Sequence, residues 1–117
     1  MSPRPWPTEI KLRREARRLD VAFDTGERFE IPFELLRVMT PAADERGHAG
    51  MVDLKPLPLD KRGVGVADVT PIGRYAVRIS FDDGHDTGLY TWDILHRLGR
   101  DRLKLEAEHA KMVGRTA

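Results

Sequence analysis

Tyr75-Ala76-Val77-Arg78-Ile79-Ser80-Phe81, then Asp82-Asp83-Gly84-His85-Asp86-Thr87-Gly88, then Leu89-Tyr90-Thr91-Trp92: the reading of this stretch decides the fold. Tyr75, Val77, Ile79 and Phe81 recur every second residue, the period of a strand with one buried face. Asp83-Gly84 is a favoured reversal, because glycine takes a positive φ without a β-carbon clash. The reversal is expected to present His85 at its tip, among the carboxylates of Asp82, Asp83 and Asp86. Leu89, Tyr90 and Trp92 then lead into a helix from about Thr91 to Leu98, which Gly99 is expected to interrupt. The unit is strand, turn, strand, helix.

The same unit occurs earlier. Leu19, Val21 and Phe23 alternate, Asp24-Thr25-Gly26-Glu27 supplies a turn, Phe29 and Ile31 resume the alternation, and Phe33 to Met39 suits a short helix stopped by Thr40-Pro41. The two Phe-Asp-x-Gly turns begin 58 residues apart, at Phe23 and Phe81. Duplication of one unit and the common chemistry of hairpins both explain this, and two copies do not make a solenoid. Either way the expected fold is α+β: a two-layer domain of antiparallel β-hairpins with short helices on one face. Leu19, Val21, Phe23, Val77, Ile79 and Phe81 are expected in one core.

Outside the two units the pattern is thinner. Residues 1–7 hold three prolines and form an extended arm. Ile10 and Leu12 alternate with charges as a further strand, and Val64, Val66, Val69 and Ile72 mark another. From Pro41 to about Gly63 no periodicity survives, which marks a long loop. Asp101 to Met112 suits a charged helix that frays at its end. The expected organisation is an arm (1–7), a domain (8–99) and a helical extension (100–117).

Composition bounds the function. The chain has 117 residues, 40% of them apolar and 33% charged, with a net charge of +1. That suits one globular domain and supplies no large field for nucleic acid. Lys11 to Arg18 holds five basic residues in eight, but no aromatic is interleaved as a single-strand platform requires. A solvated strand face is the expected reading. There is no cysteine, which excludes disulfides, thiolate catalysis and cysteine-ligated metals. No apolar run approaches the ~20 residues that cross a bilayer, and the proline-rich start lacks the apolar core of a signal peptide. A cytoplasmic protein without membrane or nucleic-acid partners is expected.

Several segments are recognisable together. They are Leu36-Arg37-Val38, the run from Thr40-Pro41 to Ala49-Gly50, Ile72-Gly73-Arg74-Tyr75-Ala76-Val77, and Phe81 to Trp92 with its Asp-Gly-His-x-x-Gly-x-Tyr-x-Trp signature. From about Pro7 to Gly99 the chain resembles the small bacterial proteins of the gamma-butyrobetaine hydroxylase-like N-terminal domain family. In the hydroxylases, the resemblance implies, this domain precedes an oxygenase domain and carries a zinc bound by three cysteines and one histidine. That histidine maps onto His85. The cysteines map onto the segment where this chain reads Met39 to Asp44, and all three are missing. Neither the zinc nor the oxygenase activity carries over. In other proteins the domain is fused to an oxygenase or to an ATPase with iron–sulfur clusters, so an accessory role near iron or redox metabolism is implied.

Two readings of the polar turn stay open. In one, His85 and His48 join a carboxylate of Asp44, Glu45, Asp83 or Asp86 in a nitrogen/oxygen site for Fe, Zn, Mn or Ni. In the other, His85 makes a structural hydrogen bond and Asp82 caps backbone amides. The functions these readings leave open are a small non-catalytic binding module, acting on a protein partner or as a homo-oligomer with or without a bound metal, and a metal-dependent enzyme centred on His48 and His85. The other candidates have plainer readings. Glu106 and His109 form a Glu-x-x-His pair expected on a solvated helix face, and His96 is expected to be partly exposed. Tyr90 and Trp92 suit core or interface packing rather than a ligand cage.

Overall fold

The computed structural model describes residues 5–41 and 55–115. Strands β1 (Pro7–Arg13), β2 (Arg18–Phe23) and β3 (Arg28–Pro32) form one antiparallel sheet in the order β1-β2-β3, followed by helix α1 (Phe33–Val38). Strands β4 (Val66–Ile72), β5 (Ala76–Phe81) and β6 (Gly88–Thr91) form a second, in the order β4-β5-β6, followed by α2 (Trp92–Arg100). Helix α3 (Arg102–Met112) completes an α+β domain.

Alternation sets the register, because side chains one residue apart point to opposite faces of a sheet. On β2, Val21 lies between Ile10 and Phe29, and Leu19 between Leu12 and Ile31. On β5, Val77 lies between Pro71 and Tyr90. All six expected core residues fall in one buried cluster with Leu36, Leu95 and Leu98. Tyr75 does not follow them. The reversal at Gly73 (φ 54°) ends just before β5, so Tyr75 stays outside the sheet and is 54% exposed.

The echo between the halves extends to individual hydrogen bonds. Gly26 N donates to Phe23 O and Phe23 N to Glu27 O; Gly84 N donates to Phe81 O and Phe81 N to His85 O. Only the glycines take positive φ, 91° and 92°, so each reversal is a type I turn closed by a left-handed glycine. Trp6 and Asp24 exchange two bonds, N to Oδ1 and N to O, and Gly65 and Asp82 exchange the same two. Phe33 N donates to Arg17 O where Trp92 N donates to Tyr75 O. These matches make the two halves copies of one β-β-β-α arrangement.

Helix α2 runs through Gly99 and breaks only at Asp101, contrary to the expected interruption. The glycine is there for proximity. A β-carbon added to it would lie 2.3 Å from Phe29 Cγ and 2.5 Å from Phe29 Cβ, so α2 packs on β3 at a distance no side chain allows. Gly99→Ala is therefore expected to destabilise by about 1–3 kcal/mol, although alanine is the better helix former. A urea titration showing a stability gain instead would mean that α2 shifts freely on β3.

The basic run is taken up by the fold. Arg13 and Arg18 both bond Asp20, while Arg14 forks onto the carbonyls of Val66 and Ala67. With Asp68 accepting from Val69 N, and Pro71 offering no N–H, the outer edge of β4 is blunted. His96 is partly exposed, as expected, with Nε2 2.8 Å from Glu27 Oε1 and its ring against Phe23 and Phe29. His109, by contrast, is not on a solvated face: it is 4% exposed and bonds Leu59 O at 2.6 Å, while Glu106 pairs with Arg102. Helix α3 has to bury Leu105, and His109 lies one turn further along the same face. No described helix is long and apolar enough to cross a membrane.

Candidate functional site

The Asp82–Gly88 segment meets the end of α1 in a polar corner. His85 follows the left-handed Gly84 and rejoins the ladder, its carbonyl accepting from Phe81 N at 2.8 Å. Its side chain therefore turns inward rather than standing at the tip. The residue is 9% exposed, with Nε2 3.0 Å from Thr40 Oγ1 just beyond α1.

Asp83 is the electrostatic centre. Its Oδ2 accepts from Arg37 Nε at 2.8 Å and from Lys61 Nζ at 2.9 Å, and its Oδ1 accepts from His85 N at 3.1 Å. Burial works against the charge, but the bonds from Lys61, the His85 amide and Arg37 outweigh it and bring the carboxyl from 3.8 down to about 2. Arg37 is 5% exposed, and its guanidinium stands over the Phe81 ring. Asp82 does cap a backbone amide, accepting from Gly65 N at 2.9 Å. Behind the corner, the buried Tyr90 hydroxyl donates to Leu36 O and ties β6 to α1.

Of the residues considered for a metal, the structure brings His85 and Asp83 together, linked by the amide bond above. Asp86 is exposed. Asp44, Glu45 and His48 lie outside the described residues. Among the described residues no three histidine, cysteine, aspartate or glutamate side chains are close enough to hold a metal ion. A zinc held by three cysteines and one histidine does not fit a chain without cysteine. Sequence reasoning missed Arg37, Lys61 and Thr40. Arg37 left a signal: a lone charge inside Leu35-Leu36-Arg37-Val38-Met39 is buried only with a partner. Lys61 left none.

Asp83 is suited to holding its partners rather than to moving a proton. A carboxylate that accepts from three donors and stays ionised is a poor general base near neutral pH.

The family model described as gamma-butyrobetaine hydroxylase-like, N-terminal, matches residues 10–96. A crystal structure of a protein of unknown function from Acidithiobacillus ferrooxidans, assigned to the DUF971 family, is 35% identical with a TM-score of 0.68, covering 85% of this chain and 98% of that one. Two NMR solution structures are 38% and 34% identical, with TM-scores of 0.78 and 0.77. They cover 97% and 96% of this chain, and each match spans 86% of the other chain. No curated protein matches.

Proposed function

The chain belongs to the gamma-butyrobetaine hydroxylase-like N-terminal domain family, and from that premise we propose that it is a small non-catalytic binding module. The observation that carries this reading is the set of three donors on Asp83. The polar residues of the family signature are engaged in fixing the hairpin to α1, so they position a surface instead of reacting. The surface is the corner where Thr40 leaves α1 beside His85. An accessory role near iron or redox metabolism suits such a module.

His85→Ala is expected to lower stability by about 1 kcal/mol, the worth of its buried hydrogen bond. It is also expected to abolish retention of the partner that the wild-type protein captures from its native lysate. Both are checked together, by thermal melting and by quantitative pull-down. A partner retained equally by the variant would take the corner out of the reading.

A second reading has one observation in its favour. Thr40 Oγ1 lies 3.0 Å from His85 Nε2, so the segment carrying Asp44, Glu45 and His48 begins two residues from a point beside the imidazole. A divalent metal on His85, His48 and one of those carboxylates would make the module a metal sensor or a metal-dependent enzyme. Elemental analysis of protein purified without a histidine tag separates the two. The binding-module reading expects well under one metal ion per chain, and a stoichiometric metal would displace it.

A further inference from the structure

Between the outer strands of the two sheets, β1 and β4, lies an apolar groove of about 280 Å³ lined by Ile10, Leu12, Leu19, Val69, Pro71 and Val77. Asp68 also borders it, but its carboxylate is turned to Val69 N and Thr70 Oγ1. The two edges beside the groove differ. That of β4 is blunted, as described above. That of β1 is open: among the described residues no strand lies beside it, and no loop backbone bonds Glu9 to Arg13. Its one irregularity falls between Pro7 and Glu9, and from Glu9 to Arg13 the ladder with β2 is unbroken. A regular, open strand edge is a template for a further strand.

The charges on β1 say which strand fits. Glu9 and Lys11 stand on one face and Ile10 and Leu12 on the other. In an antiparallel pair related by a two-fold axis, residues equally far from the axis face each other and share one face of the sheet. An axis at Ile10 sets Glu9 opposite the partner subunit's Lys11, and Lys11 opposite the partner subunit's Glu9. Within one strand Lys11 Nζ already lies 3.6 Å from Glu9 Oε2, and that contact is kept. The four charges alternate around a square, each carboxylate between two ammonium groups. Arg28, 3.9 Å from Glu9 Oε1, approaches from the β3 side and is undisturbed. An axis at Lys11 would instead oppose two like charges, and an axis between residues would set Ile10 against Lys11. We propose that the chain forms a two-fold dimer through β1, paired antiparallel with Ile10 on the axis. Ile10 and Leu12 of both copies then form one apolar row at the mouth of the groove. An interface of one strand pair is small, so the dimer is expected to be half formed at about 0.1 mM chain. It extends the binding-module reading and uses no residue of the His85 corner, so each can fail without the other.

Sedimentation equilibrium on the full chain, from about 10 µM to about 1 mM, measures the association. Lys11→Glu makes every facing charge acidic and Glu9→Lys makes every one basic. Each variant alone is expected to associate at least about tenfold more weakly, and their equimolar mixture to recover the wild-type affinity or exceed it. Both positions are exposed, and circular dichroism checks that each variant stays folded. The register is tested separately, because the chain has no cysteine of its own. Under mild oxidation Ile10→Cys is expected to form a covalent dimer, since the residue on the axis meets its own copy. Lys11→Cys is expected not to, its copies lying about 8 Å apart, beyond disulfide reach. A monomer at all concentrations, a mixture no stronger than its components, or faster cross-linking through Lys11→Cys would overturn the proposal.

Discussion

Phe81→Ala is expected to remove about 3–5 kcal/mol of stability, the usual loss for a large aromatic truncated in a core that cannot collapse around the gap. Phe81 is 3% exposed at the end of β5, and its ring meets both Arg37 and His85. The truncation therefore opens a cavity and also takes the apolar surface from beneath two polar groups. Against a total of about 5–15 kcal/mol for a domain of this kind, the variant would be barely folded at 37 °C. Urea denaturation checks it. The midpoint should fall steeply with an unchanged slope, and a near-neutral result would mean that Phe81 does not close the core.

Asp83→Ala comes second, at about 3 kcal/mol, because it leaves the buried Arg37 guanidinium without its counter-charge. Lys61 is 28% exposed at its side chain and can turn to water; Arg37, at 6%, cannot. Pairing the change with Arg37→Met should recover most of the loss, since an uncompensated charge, rather than a missing attraction, causes it. The pH dependence has a definite sign. The folded Asp83 carboxyl lies at about 2, below the roughly 3.9 of an unfolded aspartate. Its stabilisation is fully present above about pH 4 and is lost as pH falls towards 2. Partial exposure and solvent screening limit this titrating part to about 1 kcal/mol. Denaturation midpoints measured from pH 5 to 2 should fall less for Asp83→Ala than for the wild-type chain. Parallel curves would place the acid sensitivity elsewhere.

Features that rest on neighbouring residues are written in the chain itself. Alternation at Leu19-Val21-Phe23 and Val77-Ile79-Phe81 is local, so strands, their buried faces and the antiparallel fold class were legible without coordinates. The paired Phe-Asp-x-Gly turns were legible for the same reason. Glycine alone takes the left-handed position easily, and aspartate bonds nearby amides wherever it occurs.

Contacts between distant segments decided the rest. Gly99 looked like a helix breaker because its local effect is to weaken a helix; only Phe29, 70 residues earlier, made it a point of close approach. His85 looked like a turn tip until the ladder bond to Phe81 turned it inward onto Thr40. The Arg37–Asp83–Lys61 network joins three separate segments, and no spacing in the sequence encodes a meeting of that kind. The sequence by itself determined the strands, the turns and the family, because each rests on residues a few positions apart. Tertiary structure alone decided which charges are buried, which aromatics stay open and which polar groups are free to act, because burial depends on what arrives from elsewhere in the chain.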